Sequence, residues 1–223
     1  MAIHEAERTK LLHKGENVIW AWHSPRVVER AFESIWQLLG EWRARRGAPF
    51  VSTKRIKEVV VSEVISLAKL FNSKNIDCLR SFKTFSPSTF QRLHYAIMRR
   101  VLNISLLKKT IVPQPMLGSK ILHHFFPTVV PVYDDLFISK QVMKLSKITT
   151  YEKKELASFY LTDSIHQRMN EFQKYHRFCT SQICSIPMHE LKIIRREFGE
   201  MFADLLPHKL YLDKQSWGLT SRE

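Results

Sequence analysis

Lys120 and the aspartate pair Asp134 and Asp135 are the residues whose types and spacing could do chemistry here. An amine can attack an electrophilic carbon, and a carboxylate brought close to it can activate it and stabilise developing positive charge. The three lie in one run at 117–135, LGSKILHHFFPTVVPVYDD. Gly118 permits close backbone approach or a positive φ. With Ser119 it sits where the amides opening a helix could hold a phosphate. The same residues also have a plain structural use. Asp134 or Asp135 can cap a helix over 136–144, worth about 1 kcal/mol, and a solvated lysine in a helix's first turn costs only a few tenths of a kcal/mol. Of the two histidines at 123 and 124, one is expected to face the core and one the solvent.

The elements that must hold these groups read as helices nearly throughout. Ser24 and Pro25 open a helix carrying Val28, Ala31, Phe32, Ile35, Leu39 and Trp42, which ends at Gly47-Ala48-Pro49. A second helix from Ser52 or Thr53 carries Ile56, Val60, Val64, Leu67, Ala68 and Phe71. Its valine run at 59–61 keeps a helical period rather than strand alternation. Ser86-Pro87 opens a third helix, with Phe90, Leu93, Ile97 and Val101, expected to end near Asn103. Pro113 and Pro115 restrict their predecessors and mark a turn. A tight turn over 115–120 then opens onto a helix anchored by Ile121, Leu122, Phe125 and Phe126. Further helices are expected from Thr149 or Thr150 through Phe172 and from Met188 through Leu205. The pattern predicts an all-α fold, a single domain of about eight to ten helices over 1–206 with an irregular tail at 207–223.

Lys and Arg total 35 against 21 Asp and Glu in 223 residues, a net charge of +14. Such an excess attracts polyanions, nucleic acid before acidic membranes or acidic proteins. The alternative is a generally basic, solvated surface. Local clusters include Arg99 with Arg100 and Lys108 with Lys109. Three cysteines cannot build a disulfide framework, and the first residues lack the order of a secretory signal, so a reducing, cytoplasmic setting is expected. No apolar run approaches the roughly 18 residues that span a bilayer, so no membrane partner is expected. No P-loop, nucleophile elbow, HExxH or dinucleotide fingerprint occurs, and no cofactor is expected.

His176, Cys179, Cys184 and His189 have the spacing of a zinc knuckle with the residue types permuted. The run lacks the glycines that let so short a loop wrap a metal, and buried cysteines with a surface histidine are the simpler reading. Trp20 and Trp22 flank Ala21 beside basic residues, where aromatics can stack on unpaired bases. Alternation favours a core role for them.

The run at 116–134 resembles the helix–hairpin–helix DNA glycosylase superfamily, in its 8-oxoguanine-glycosylase-like branch. That family has a Gly-x-Gly-x-Lys hairpin, an apolar helix and a Pro-Val-Asp signature before the next helix. Here Met116-Leu117-Gly118-Ser119-Lys120 stands in the place of the hairpin, with methionine for its first glycine, and Pro131-Val132-Tyr133-Asp134 in the place of the signature. The resemblance implies a helix–hairpin–helix-like element near 104–144. It implies that Lys120 attacks the deoxyribose C1′ and forms a Schiff base, with Asp134 or Asp135 as the activating carboxylate. It also implies double-stranded DNA as partner, a base flipped into a pocket, and flanking phosphates held by Gly118, Ser119, Arg99, Arg100, Lys108 and Lys109. Beside this stand a non-catalytic helical module that binds nucleic acid by charge and shape, and a protein-interaction domain.

Overall fold

The computed structural model describes residues 20–41, 50–107, 115–127 and 129–131, and singly residues 176, 177, 179, 180, 187, 189, 192 and 196. Every regular element among them is helical, so the described part is all-α. A 3-10 turn at Trp20–His23 leads into α1 (Pro25–Glu41), followed by α2 (Thr53–Ser73), a second 3-10 turn (Leu79–Thr84), α3 (Pro87–Ser105) and α4 (Pro115–Phe125). The helix starts expected at Thr149 or Thr150 and the tail at 207–223 lie outside the described residues. Among the described residues no helix is long and apolar enough to cross a membrane.

Local chemistry explains the boundaries. The Ser52 hydroxyl accepts the Arg55 amide at 3.3 Å, and the Ser86 hydroxyl accepts that of Thr89 at 3.4 Å, so both predicted N-caps form. Pro87 follows at the first helical position, where no amide is missed. At its far end α2 closes with Asn75 at φ 52°, in the left-handed region. The Asn75 amide donates to the Asn72 carbonyl at 3.2 Å and the Ile76 amide to that of Phe71 at 2.9 Å. Together these make a Schellman closure, with buried Ile76 and Phe71 as its apolar residues. Asparagine holds the position usually taken by glycine.

The valine run is helical: Val60 is buried, and Val59 and Val61 are half-buried beside it. Consecutive helices pack on one another, and α1 also meets α4. The core between them holds Phe32, Ile35, Leu39, Val64, Phe71, Ile97, Val101 and Ile121. Trp22 ties its ends together. Its Nε1–H donates to the Phe125 carbonyl at 2.8 Å, and its ring meets that of Phe125 edge-on, with centroids 5.0 Å apart. The bond satisfies a carbonyl that the last turn of α4 leaves without a helical partner. Trp22 is therefore core, as the alternation predicted.

One expectation fails in this region. The sequence predicts a tight turn over 115–120, whereas the chain is helical from Pro115 onward. Proline is compatible with a helix's first residue. Gly118 lies inside the helix because packing requires it there, and Lys120 sits mid-helix rather than in the first turn of a new one.

Candidate functional site

Helix α4 is buried on every side. Each described side chain from Leu117 to Pro127 is removed from solvent, the pattern of a central helix rather than a surface one. It crosses α3 closely at Gly118. A Cβ there would lie 1.9 Å from the Val101 carbonyl oxygen and 2.9 Å from Ser105 Oγ. The Gly118 amide donates to Ser105 Oγ at 3.2 Å, and that hydroxyl donates to the Val101 carbonyl at 2.8 Å. Ser119 Oγ donates to the Met116 carbonyl at 3.0 Å. The Gly118 amide and the Ser119 hydroxyl are thus committed inside the protein.

Lys120 retains only 8 % of its exposure. His123 and His124 follow it by three and four residues, on the same side of the helix, and Ser119 precedes His123 by four. One side of α4 therefore gathers an amine, a hydroxyl and two imidazoles, all buried. The expectation that one histidine faces solvent is corrected: α4 is enclosed, so both are inside. His123 Nδ1 is 2.7 Å from the Val130 carbonyl. A carbonyl only accepts, so Nδ1 carries the hydrogen. Asp134 and Asp135 lie outside the described residues, as do Lys108 and Lys109.

Arg99 and Arg100 part company. Arg99 is exposed. Arg100 turns inward, 3.6 Å from Glu63, donating to Ser66 Oγ at 2.7 Å and to the Ala96 carbonyl at 2.9 Å.

A second cluster was not foreseen. His94 of α3 is buried with ring centroids 4.3 Å from His176 and 4.1 Å from Phe90, and Phe82 closes the group at 5.3 Å from His94. Burial holds the His94 imidazole far below the usual histidine range, helped by the charges of His176 and Arg177. Burial likewise pushes His176 down to about 4, against the opposing pull of its bond to the Val129 carbonyl. That bond, from Nε2–H at 2.8 Å, and the His123 bond to Val130 hold adjacent carbonyls just beyond α4. The signal for His94 was in the sequence, since it lies four residues after Phe90 and three before Ile97 on the apolar stripe of α3.

Of the zinc-knuckle residues, His176 and Cys179 are buried on helical backbone and His189 is exposed; Cys184 lies outside the described residues. No group of three or more His, Cys, Asp or Glu able to hold a metal occurs among the described residues. The Cys78 thiol is pushed up to about 11 by burial and then by the adjacent Asp77, which makes it a poor nucleophile.

Comparison of the chain with protein-family models, with curated proteins and with solved structures finds no match.

Proposed function

We propose that this protein binds DNA and acts as a base-excision glycosylase/lyase in which Lys120 is the amine nucleophile. The observation that carries the reading is the burial of Lys120 beside two imidazoles on one side of α4. Burial of a lysine keeps water from its amine, and lysines are almost never fully buried. An amine in such surroundings is of the type enzymes use for Schiff bases.

Lys120 Nζ attacks the deoxyribose C1′ as the glycosidic bond breaks, and the base departs with the bonding pair and takes up a proton. Before the attack Nζ gives up a proton to a nearby base, for which His123 Nε2 and the carboxylates of Asp134 and Asp135 are the candidates, and after it the new secondary ammonium gives up a second. The nitrogen lone pair then forms the C1′=N bond as the C1′–O4′ bond opens, O4′ leaving with the bonding pair and taking up a proton, which leaves an iminium between lysine and sugar. The net charge of +14 supplies the attraction to the phosphate backbone.

A second reading has its own observation. The Gly118 amide and the Ser119 hydroxyl, which would grip a phosphate at a hairpin, are engaged within the protein, as suits a helical module that binds nucleic acid without catalysis. Borohydride trapping on DNA carrying an abasic site or 8-oxoguanine separates the two. The first reading expects a covalent adduct that peptide mapping places on Lys120 and that Lys120→Gln abolishes. DNA binding with no adduct and no strand cleavage on either lesion refutes it and leaves the second. Mapping the adduct on the unaltered chain keeps the test valid even if Lys120→Gln unfolds.

A further inference from the structure

Helix α3 has no acidic residue along its 19 positions. Of its three arginines, Arg100 is committed to Glu63, Ser66 and the Ala96 carbonyl. Arg92 and Arg99 are exposed, and among the described residues neither has an ion-pair partner. Between them stands Tyr95, which keeps 52 % of its exposure. Leu106, just past the helix, is equally exposed.

Spacing puts these groups on one face. Tyr95 follows Arg92 by three residues and precedes Arg99 by four, so the ring lies between two guanidinium groups. Ser88 stands one turn before Arg92. The opposite face, with Leu93, Ile97, Val101 and Ile104, is buried, and its Val101–Gly118 crossing meets α4. Arg92 and Arg99 are about 10 Å apart along the axis, at 1.5 Å per residue. That separation leaves room for a planar ring to lie on Tyr95 between two held phosphates.

A single exposed aromatic is ordinary on a protein surface. Two arginines on the same face without an ion-pair partner among the described residues, and with no carboxylate on the helix to neutralise them, define its complement. An acidic protein would satisfy the charge and leave the ring without a use. A strand in which phosphates alternate with flat bases satisfies both.

We infer that Arg92, Tyr95 and Arg99 form a docking surface for single-stranded DNA, in which the arginines hold phosphates and Tyr95 stacks on an unpaired base. The inference rests on the DNA-binding part of the function proposed above and is independent of any chemistry at Lys120. It names a form of the partner, unpaired DNA, that the charge alone does not specify.

Fluorescence anisotropy of the full chain with a labelled oligothymidylate tests it, with duplex DNA, RNA and an acidic peptide as competitors. Tyr95→Ala weakens single-strand binding about 10-fold and Tyr95→Phe preserves it, since stacking needs the ring and not the hydroxyl. Arg92→Gln with Arg99→Gln lowers the slope of log affinity against log salt by about 1.4, at about 0.7 per phosphate contact on a single strand. These side chains are exposed, so thermal melts of the variants match the parent. If Tyr95→Ala binds the oligonucleotide like the parent, the surface is misassigned while DNA binding itself stands. No binding of any DNA at low salt overturns both readings. Preference for duplex, RNA or peptide over the single strand assigns the face to that occupant and overturns this one.

Discussion

Gly118→Ala is the sharpest test of how α4 is seated. The added methyl would lie 1.9 Å from the Val101 carbonyl oxygen, about 1.1 Å inside the closest approach that real Cβ atoms make. The obstacle is backbone, so no rotamer change relieves it and the two helices must separate by more than an ångström. In a close-packed interior such overpacking costs about 1–3 kcal/mol. Separation also breaks the Gly118 amide bond to Ser105, leaving a buried donor at a further cost of about 1–3 kcal/mol. We expect a total near 4 kcal/mol, which lowers the melting temperature by about 10 °C in a chain of this size. Urea titration followed by circular dichroism measures it. Val101→Ala in the same chain gives no rescue, because the clash is with the carbonyl and not the valine side chain. A Gly118→Ala variant within about 0.5 kcal/mol of the parent, the range of an unremarkable surface change, refutes the crossing described. A variant of unchanged stability but reduced DNA affinity would instead assign the glycine to phosphate contact.

Acid weakens the fold through its buried histidines. His94 and His176 have folded values below the unfolded 6.5, so the unfolded chain takes up protons that the folded one refuses. Their contribution is complete above about pH 6.5 and is lost as pH falls, about 3 kcal/mol for His176 by pH 4; urea midpoints at stepped pH show the decline, and His94→Phe makes it shallower. Trp22→Phe leaves the Phe125 carbonyl without its indole donor and costs about 1–3 kcal/mol in urea titration; an unchanged midpoint refutes the capping role. Asn75→Gly is neutral or stabilising and Asn75→Ala destabilises by about 1 kcal/mol, because only the latter strains at φ 52°; equal thermal melts for the two variants would contradict the Schellman closure.

Signals confined to a few neighbouring residues were legible in the sequence. Ser52 and Ser86 cap the helices they were expected to cap, because a cap needs only its own amide three residues on. The valines at 59–61 kept their helical period, and Trp22 went inside. Signals depending on distant partners were not legible. Gly118 was marked as special, but the reason is Val101, seventeen residues earlier and in contact only once α3 and α4 dock. Reading that glycine as a turn displaced the start of α4 from Pro115. His123 and His124 were expected to divide between core and solvent, as adjacent residues do on a helix with one exposed side. Nothing local says that α4 has none. Arg99 and Arg100 look alike in the sequence, and only the position of Glu63 on α2 separates the committed arginine from the exposed one. For the candidate site, the amine and its imidazole neighbours share one described helix, while Asp134 and Asp135 lie outside the described residues.

The bond from Trp22 to Phe125 spans 103 positions, and that span sets an order on assembly. During synthesis the indole is made long before the carbonyl it will serve. The first three helices can meet in sequence as they emerge, each against its predecessor, but the ring of contacts through α1 and α4 waits for the last of the four. Until α4 docks, the Trp22 Nε1–H lacks its Phe125 acceptor, and it gains that acceptor in the step that joins α4 to the first three helices. With the other four tryptophans replaced by phenylalanine, the fluorescence of Trp22 therefore reports the closing of the ring rather than the formation of any one helix.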